Sequence, residues 1–194
     1  MGPAPLSDAP RRGQSRVPDS ECRTLLRLLL CVRRAPFKGY YSFDLGAWHL
    51  VALNSGCAEP IAEAPGCFAG SEQERWLRGD LQTHPARCTL AYWHHPRFSS
   101  AEGDNEVMRD VWKVLREFGV DLVLNGHAHV YERFAPQTAD GAYDPSGVRE
   151  LVVGTGGQKL IGLGSPHANS EVRFYAGGAP FPMAETRFDE PRSG

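Results

Sequence analysis

The chain is 194 residues long and has no apolar run near the ~18–20 residues of a membrane-spanning helix, so no membrane span is expected. Its five cysteines form no C-x-x-C pair, which removes zinc-ribbon and thioredoxin readings. It has no strong excess of one charge: the net is −2, so no general affinity for polyanions follows and nucleic acid is not an expected partner. It has no G-x-S-x-G elbow, so a serine esterase is without support. Its glycine cluster, "VVGTGG" at 152–157, lacks the Gly-Lys-Ser/Thr of a nucleotide-binding P-loop. No internal repeat is present.

What the chain does have is an uneven start and a regular remainder. Residues 1–37 carry a net charge of +4 and the rest −6. The first segment is rich in Arg and Pro and poor in β-branched residues, so an irregular leader outside the fold is expected there, with one domain over 38–194. "LLRLLLCV" has the basic flank of a secretory signal, but Arg27 interrupts it and no clean cleavage site follows. Cys57 and Cys67 flank a loop containing Pro60, Pro65 and Gly66; a disulfide between them and a pair of reduced thiols both fit. Cys88 opens an apolar strand and reads as buried, or as a competing disulfide partner.

From Lys38 onward the periodicity is clear. "YYSFDLGAWHLVALNS" predicts two strands around Gly46. Tyr41, Phe43 and Leu45 alternate, then Trp48, Leu50 and Ala52, which puts His49 on the opposite, solvated face. "SEQERWLRGDLQTH" opens with Ser71 and Glu74, the pattern of a capping box, and predicts a helix. "CTLAYW" (88–93) reads as a buried strand ended by His94-His95-Pro96. Val107, Met108, Val111, Trp112, Leu115 and Phe118 recur at helical spacing over 105–118, and Gly119 stops them. "DLVLN" (121–125) is a short strand ended by Gly126-His127-Ala128-His129. A polar loop, a strand at 148–153 and "GTGG" follow. Past about residue 160 the periodicity fades.

The order strand–helix–strand predicts an α/β fold with parallel neighbours and right-handed crossovers. Ligands of such sheets collect at the carboxyl ends of the strands. If the strands ending in His94-His95 and in His127-x-His129 are neighbours, four histidines meet at one edge. Neutral imidazole suits Zn, Fe or Mn. The alternative is a set of loop histidines bonded to backbone carbonyls. Glu132 and Arg133 are candidates for phosphate contact or for a local ion pair; Tyr131 reads as packed, and His84 and His167 as solvated.

"YWHHPRFSS" followed by "NGHAHVYER" resembles the calcineurin-like metallophosphoesterases, in particular their purple acid phosphatase-like branch. The likeness runs from about Lys38 to about Arg173. It implies a partial metallophosphoesterase β-sandwich with flanking helices. It implies a phosphoester hydrolase of phosphatase type, with two divalent or mixed-valence ions (Fe, Zn or Mn). His94 and His127 would bind one ion and His129 the other, with His95 lining the site as the catalytic candidate. The glycine loop at 152–157 would lie near the metals; the plainer reading is a tight turn. An extracytoplasmic location is also implied. The family's Asp-x-His, G-D-x-x-D/Y and G-N-H-D/E motifs have no counterpart in residues 1–60, where Asp44 and His49 stand at the wrong spacing and Asn54 lacks the following histidine. The bridging Asp, the Asn ligand and the upstream His are therefore missing, and with the composition change at Phe37-Lys38 the expectation is a truncated or frame-disrupted chain carrying the C-terminal half. A non-catalytic metal-binding chain and an interaction module reusing the fold are the rival readings.

Overall fold

In the computed structural model, residues 33–34, 38–58 and 66–177 are described. The signal-like "LLRLLLCV" and most of the Arg-rich leader lie outside them. The described strands form one mixed eight-stranded sheet in the order β1-β2-β3-β4-β5-β7-β6-β8. In chain order they are β1 (Arg33–Arg34), β2 (Tyr41–Leu45), β3 (Trp48–Ala52), β4 (Cys88–Trp93), β5 (Leu122–Asn125), β6 (Tyr131–Phe134), β7 (Arg149–Val153) and β8 (Ser170–Phe174). β1 begins inside the segment expected to be irregular and pairs antiparallel with β2. β2 and β3 make the expected hairpin, turned by Gly46 at φ +60°. β3, β4, β5 and β7 run parallel, and β6 and β8 complete the sheet antiparallel.

Two helices cross between the parallel strands. The first, α1 (Glu72–Thr83), starts at Ser71, whose Oγ accepts from the Glu74 N–H at 3.2 Å. The reciprocal half of the capping box is displaced by one residue: the Glu74 carboxylate accepts from the Gly70 N–H, while the Ser71 N–H is taken by the Phe68 carbonyl. The second, α2 (Arg109–Glu117), follows a single 3-10 turn at Glu106–Met108 and buries Val111, Trp112, Val114 and Leu115. Gly119, at φ +67°, ends it as expected. Val107 and Phe118, expected on its apolar stripe, are each 36% exposed.

The core lies between these helices and one face of the sheet, where Val51, Ala91, Trp93, Val123 and Val152 meet Leu77, Leu81, Val111, Trp112 and Leu115. The opposite face, with Leu50, Leu90, Tyr92, Leu122, Leu124 and Leu151, is half-buried. This reverses the expected orientation of β3. Trp48 is 38% exposed, whereas His49 is wholly buried on the helix side. The reason is a partner in α1. His49 Nε2 lies 2.9 Å from Asp80 Oδ2 and its Nδ1 lies 2.7 Å from Asp44 Oδ1. Burial alone would push the imidazole pKa down, but the bonds and charges of Asp80 and Asp44 outweigh it and raise the pKa above the usual histidine value.

Besides β1, two strands were not expected. β6 reads YERF and β8 reads SEVRF, both short and half charged. They form because Glu132 is buried among hydroxyl donors and Arg133 and Arg149 both pair with Glu171. Cys57 and Cys67 are disulfide-bonded, with Cα atoms 5.8 Å apart. Cys88 is a free, half-exposed thiol rather than a buried one.

Candidate metal centre

The parallel pairing of β4 with β5 decides the geometry. Trp93 stands level with Asn125, so His94 and Gly126 leave the sheet side by side. Two bonds fasten the strand ends together. Asn125 Nδ2 donates to the Trp93 carbonyl at 3.1 Å, and the Gly126 N–H donates to the His94 carbonyl at 3.0 Å. Asn125 is buried, so the first residue of "NGHAH" serves the scaffold.

His127 then adopts φ +56°, a left-handed backbone that costs a non-glycine residue about 1–3 kcal/mol. The turn swings its ring back towards β4. His127 Nδ1 comes within 3.0 Å of His94 Nε2. The His95 ring lies 4.3 Å from that of His127 and 4.8 Å from that of His94, centroid to centroid. Ligand atoms of His94, His95 and His127 all lie within 4.8 Å of one another. His129, one residue beyond the buried Ala128, stands on the wall of the same cleft. That cleft has a volume of about 320 Å³ and is walled also by Glu102, Val153, Gly154, Gly156 and Gln158.

His95 is oriented from outside the cleft. Ser55 Oγ accepts from the His95 N–H at 3.1 Å and lies 2.9 Å from His95 Nδ1. Ser55 thereby holds the imidazole by its Nδ1 edge. Ser55 follows β3, the third parallel strand to deliver a residue to this edge.

The loop after Pro96 is tied to the sheet by two buried glutamates. Glu150 of β7 accepts from the N–H groups of Arg97 (2.8 Å) and Phe98 (3.1 Å). Glu132 of β6 accepts from the Ser100 N–H at 2.9 Å and from the hydroxyls of Ser100 and Ser170. Burial pushes the Glu150 carboxyl up to about 8, against the lowering effect of its two backbone donors. Glu132 thus makes neither the phosphate contact nor the ion pair with Arg133 that its sequence position suggested.

The anchored loop ends in Glu102, whose Oε2 lies 3.3 Å from His127 Nε2. This carboxylate was not anticipated: it sits in a polar loop with no motif of its own. The glycine cluster has a clear steric role. A Cβ at Gly154 would stand 1.8 Å from the Ala128 carbonyl oxygen, so β7 can cross the histidine loop only with glycine there. The Gly154 N–H donates to the Val130 carbonyl at 3.0 Å, and the Ile161 N–H to that of His129 at 3.2 Å.

On this helix-flanked mixed sheet, three imidazoles at the carboxyl ends of two parallel strands and a carboxylate from the following loop form a metal-type donor cluster. Comparison with known proteins narrows the class. The chain is 33% identical over 127 residues to purple acid phosphatase 15 of Arabidopsis thaliana, an alignment covering 62% of this chain and 22% of that protein. It is 31% identical over 148 residues to probable purple acid phosphatase 20 of the same plant, covering 70% and 32%. An acid phosphatase of Aspergillus ficuum is 34% identical over 82 residues, 40% of this chain and 13% of that protein. The purple acid phosphatase of yellow lupin seeds superposes with a TM-score of 0.58 at 20% identity, over 70% of this chain and 26% of that one. No protein-family profile matches the chain. The chain is thus purple acid phosphatase-like and carries part of the metallophosphoesterase fold. It spans about a quarter of the length of the curated relatives it matches.

Proposed function

We propose that this chain works as a metal-dependent phosphoester hydrolase of phosphatase type, with His94, His127 and His129 as metal ligands and His95 as the catalytic side chain. The observation that carries the reading is the convergence of His94, His95 and His127 at one strand edge of a purple acid phosphatase-like sheet. The donor set suits the group. The imidazoles of His94, His127 and His129 line one cleft with Glu102, and these are nitrogen and oxygen donors of the kind that hold Zn, Fe or Mn.

Cations bound there would supply Lewis acidity towards a phosphoester. The chain's own residues do the rest. His94 and His127 face each other at 3.0 Å and form one binding position, and His129 on the cleft wall offers a second. His95, held by Ser55 at Nδ1, would in its imidazolium form give the Nε2 proton to a leaving oxygen as the general acid. The backbone around Gly154 and Gly156 lets a phosphoryl group approach without side-chain hindrance. The disulfide Cys57–Cys67 favours an oxidising, extracytoplasmic setting. Among the described residues no helix is long and apolar enough to cross a membrane.

The test is elemental analysis of the purified chain together with hydrolysis of a chromogenic phosphomonoester. Metal with turnover is expected, and His127→Ala should lose the metal. His95→Ala should keep it while kcat falls on the order of 10²–10⁴-fold. Metal without turnover would leave a non-catalytic metal-binding chain. No metal, with a fold indifferent to chelator, would leave an interaction module and end this reading.

A further inference from the structure

At the opposite end of β4 the chain gathers a second set of metal-type ligands. His49 stands level with Thr89, the second residue of β4, whereas His94 follows the last. Five residues of extended chain place the two clusters roughly 16 Å apart. His49 and Asp80 are buried, and His84, at the C-cap of α1, reaches solvent with 27% of its side chain. His49 Nε2 lies 2.9 Å from Asp80 Oδ2, and His84 Nδ1 lies 3.2 Å from Asp80 Oδ1. The two imidazoles stack at 13° with centroids 5.6 Å apart, and His84 Nδ1 also lies 2.9 Å from the Asp80 carbonyl and 3.1 Å from Thr83 Oγ1.

We propose that His49, Asp80 and His84 form a structural site for a zinc-type divalent cation, separate from the histidine edge of the sheet. Each residue offers one ligand atom, and the three atoms lie within 4.8 Å of one another. Ligands at ~2.1 Å in a tetrahedral site are spaced by about 3.4 Å, and the His49 and His84 nitrogens lie at 2.9 and 3.2 Å from the two oxygens of the Asp80 carboxylate, close to that spacing. The surrounding shell is already built. Asp44 Oδ1, 2.7 Å from His49 Nδ1, completes a carboxylate–histidine–metal relay, and Ser42 Oγ donates to Asp80 Oδ1 at 2.8 Å. The exposed edge of His84 is the way in, and water fills the fourth position. Such an ion ties the β2–β3 hairpin to the end of α1, and its binding energy becomes folding energy.

The experiment uses the full chain carrying His94→Ala and His127→Ala, stripped with chelator and titrated with Zn²⁺ alone by calorimetry. Melting and metal content after desalting are measured alongside. One zinc per chain and a raised Tm are expected, with affinity falling at least tenfold when His84→Ala is added. His84 is a helix-end residue, so that variant keeps the fold, which circular dichroism checks. If the doubly substituted chain does not fold, zinc is counted in the otherwise unsubstituted protein with and without His84→Ala, and the loss of one equivalent is expected. Absence of zinc binding, or zinc content unchanged by both His84→Ala and Asp80→Asn, overturns the proposal. Neither result touches the histidine edge, whose own test is separate.

Discussion

Removing the Glu132 side chain should cost more stability than removing any histidine of the cleft. Glu132 is wholly buried and accepts from one backbone N–H and two hydroxyls. In Glu132→Ala the Ser100 N–H is left in the interior without an acceptor, at about 1–3 kcal/mol. The hydroxyls of Ser100 and Ser170 can rotate, and Ser100 Oγ still accepts from the His167 N–H, so each adds less. A cavity the size of the lost side chain contributes on the order of another 1–2 kcal/mol. The sum is about 3–5 kcal/mol, a large share of the ~5–15 kcal/mol that holds a domain together. With a urea slope of roughly 2 kcal/mol/M, the midpoint should fall by about 1.5–2.5 M. Equilibrium urea unfolding followed by tryptophan fluorescence reads this directly. Ser170→Ala, which removes one of the three donors, should shift the midpoint by well under half as much. A Glu132→Ala midpoint within ~0.5 M of the parent would show that the glutamate is not the strut of the 96–104 loop, and the structural argument for that loop would fail.

Gly154→Ala should drop metal content and stability together, because the new Cβ meets the Ala128 carbonyl at 1.8 Å and pushes the loop that carries His127 and His129; unchanged metal content in the folded variant would refute this. Stability should decline as pH rises from about 4.5 to about 8. The folded carboxyl of Glu150 keeps its proton up to about 8 while the unfolded one, at 4.5, has lost it, so this contribution is full below 4.5 and gone above 8. Glu150→Gln should flatten that decline in thermal melts taken across the window. Cys57→Ser with Cys67→Ser should lower stability by ~2–3 kcal/mol, since the bridge closes a loop with a sequence separation of 10; equal melting of reduced and oxidised parent would count against it.

The parallel strands, both helices and the hairpin were legible because their apolar residues recur at the right periods. So was the meeting of His94 with His127, which needed only that β4 and β5 be neighbours. β6 and β8 were not legible: in YERF the buried Glu132 takes an apolar residue's place and its partners include a serine far away in sequence, while SEVRF is at most half-buried and its Glu171 pairs with Arg133 and Arg149. His49 was misplaced for the same reason. A polar residue on a strand reads as solvated until the facing helix is seen to offer Asp80. Glu102 carried no signal because nothing in "SAEGD" fixes its direction; the buried Glu132 and Glu150 fix it, by holding the preceding backbone.

The glutamate of "GHAHVYER" works for the scaffold rather than for the histidine cleft. A descendant that lost every histidine of the cleft would still need Glu132 to hold residues 96–104, and Asn125 to hold the end of β4. The string is therefore partly a record of how a loop is fastened. Searching genomes with it will recover chains that keep the fastening after the chemistry has gone. Telling the two apart requires the histidines, read separately from the letters around them.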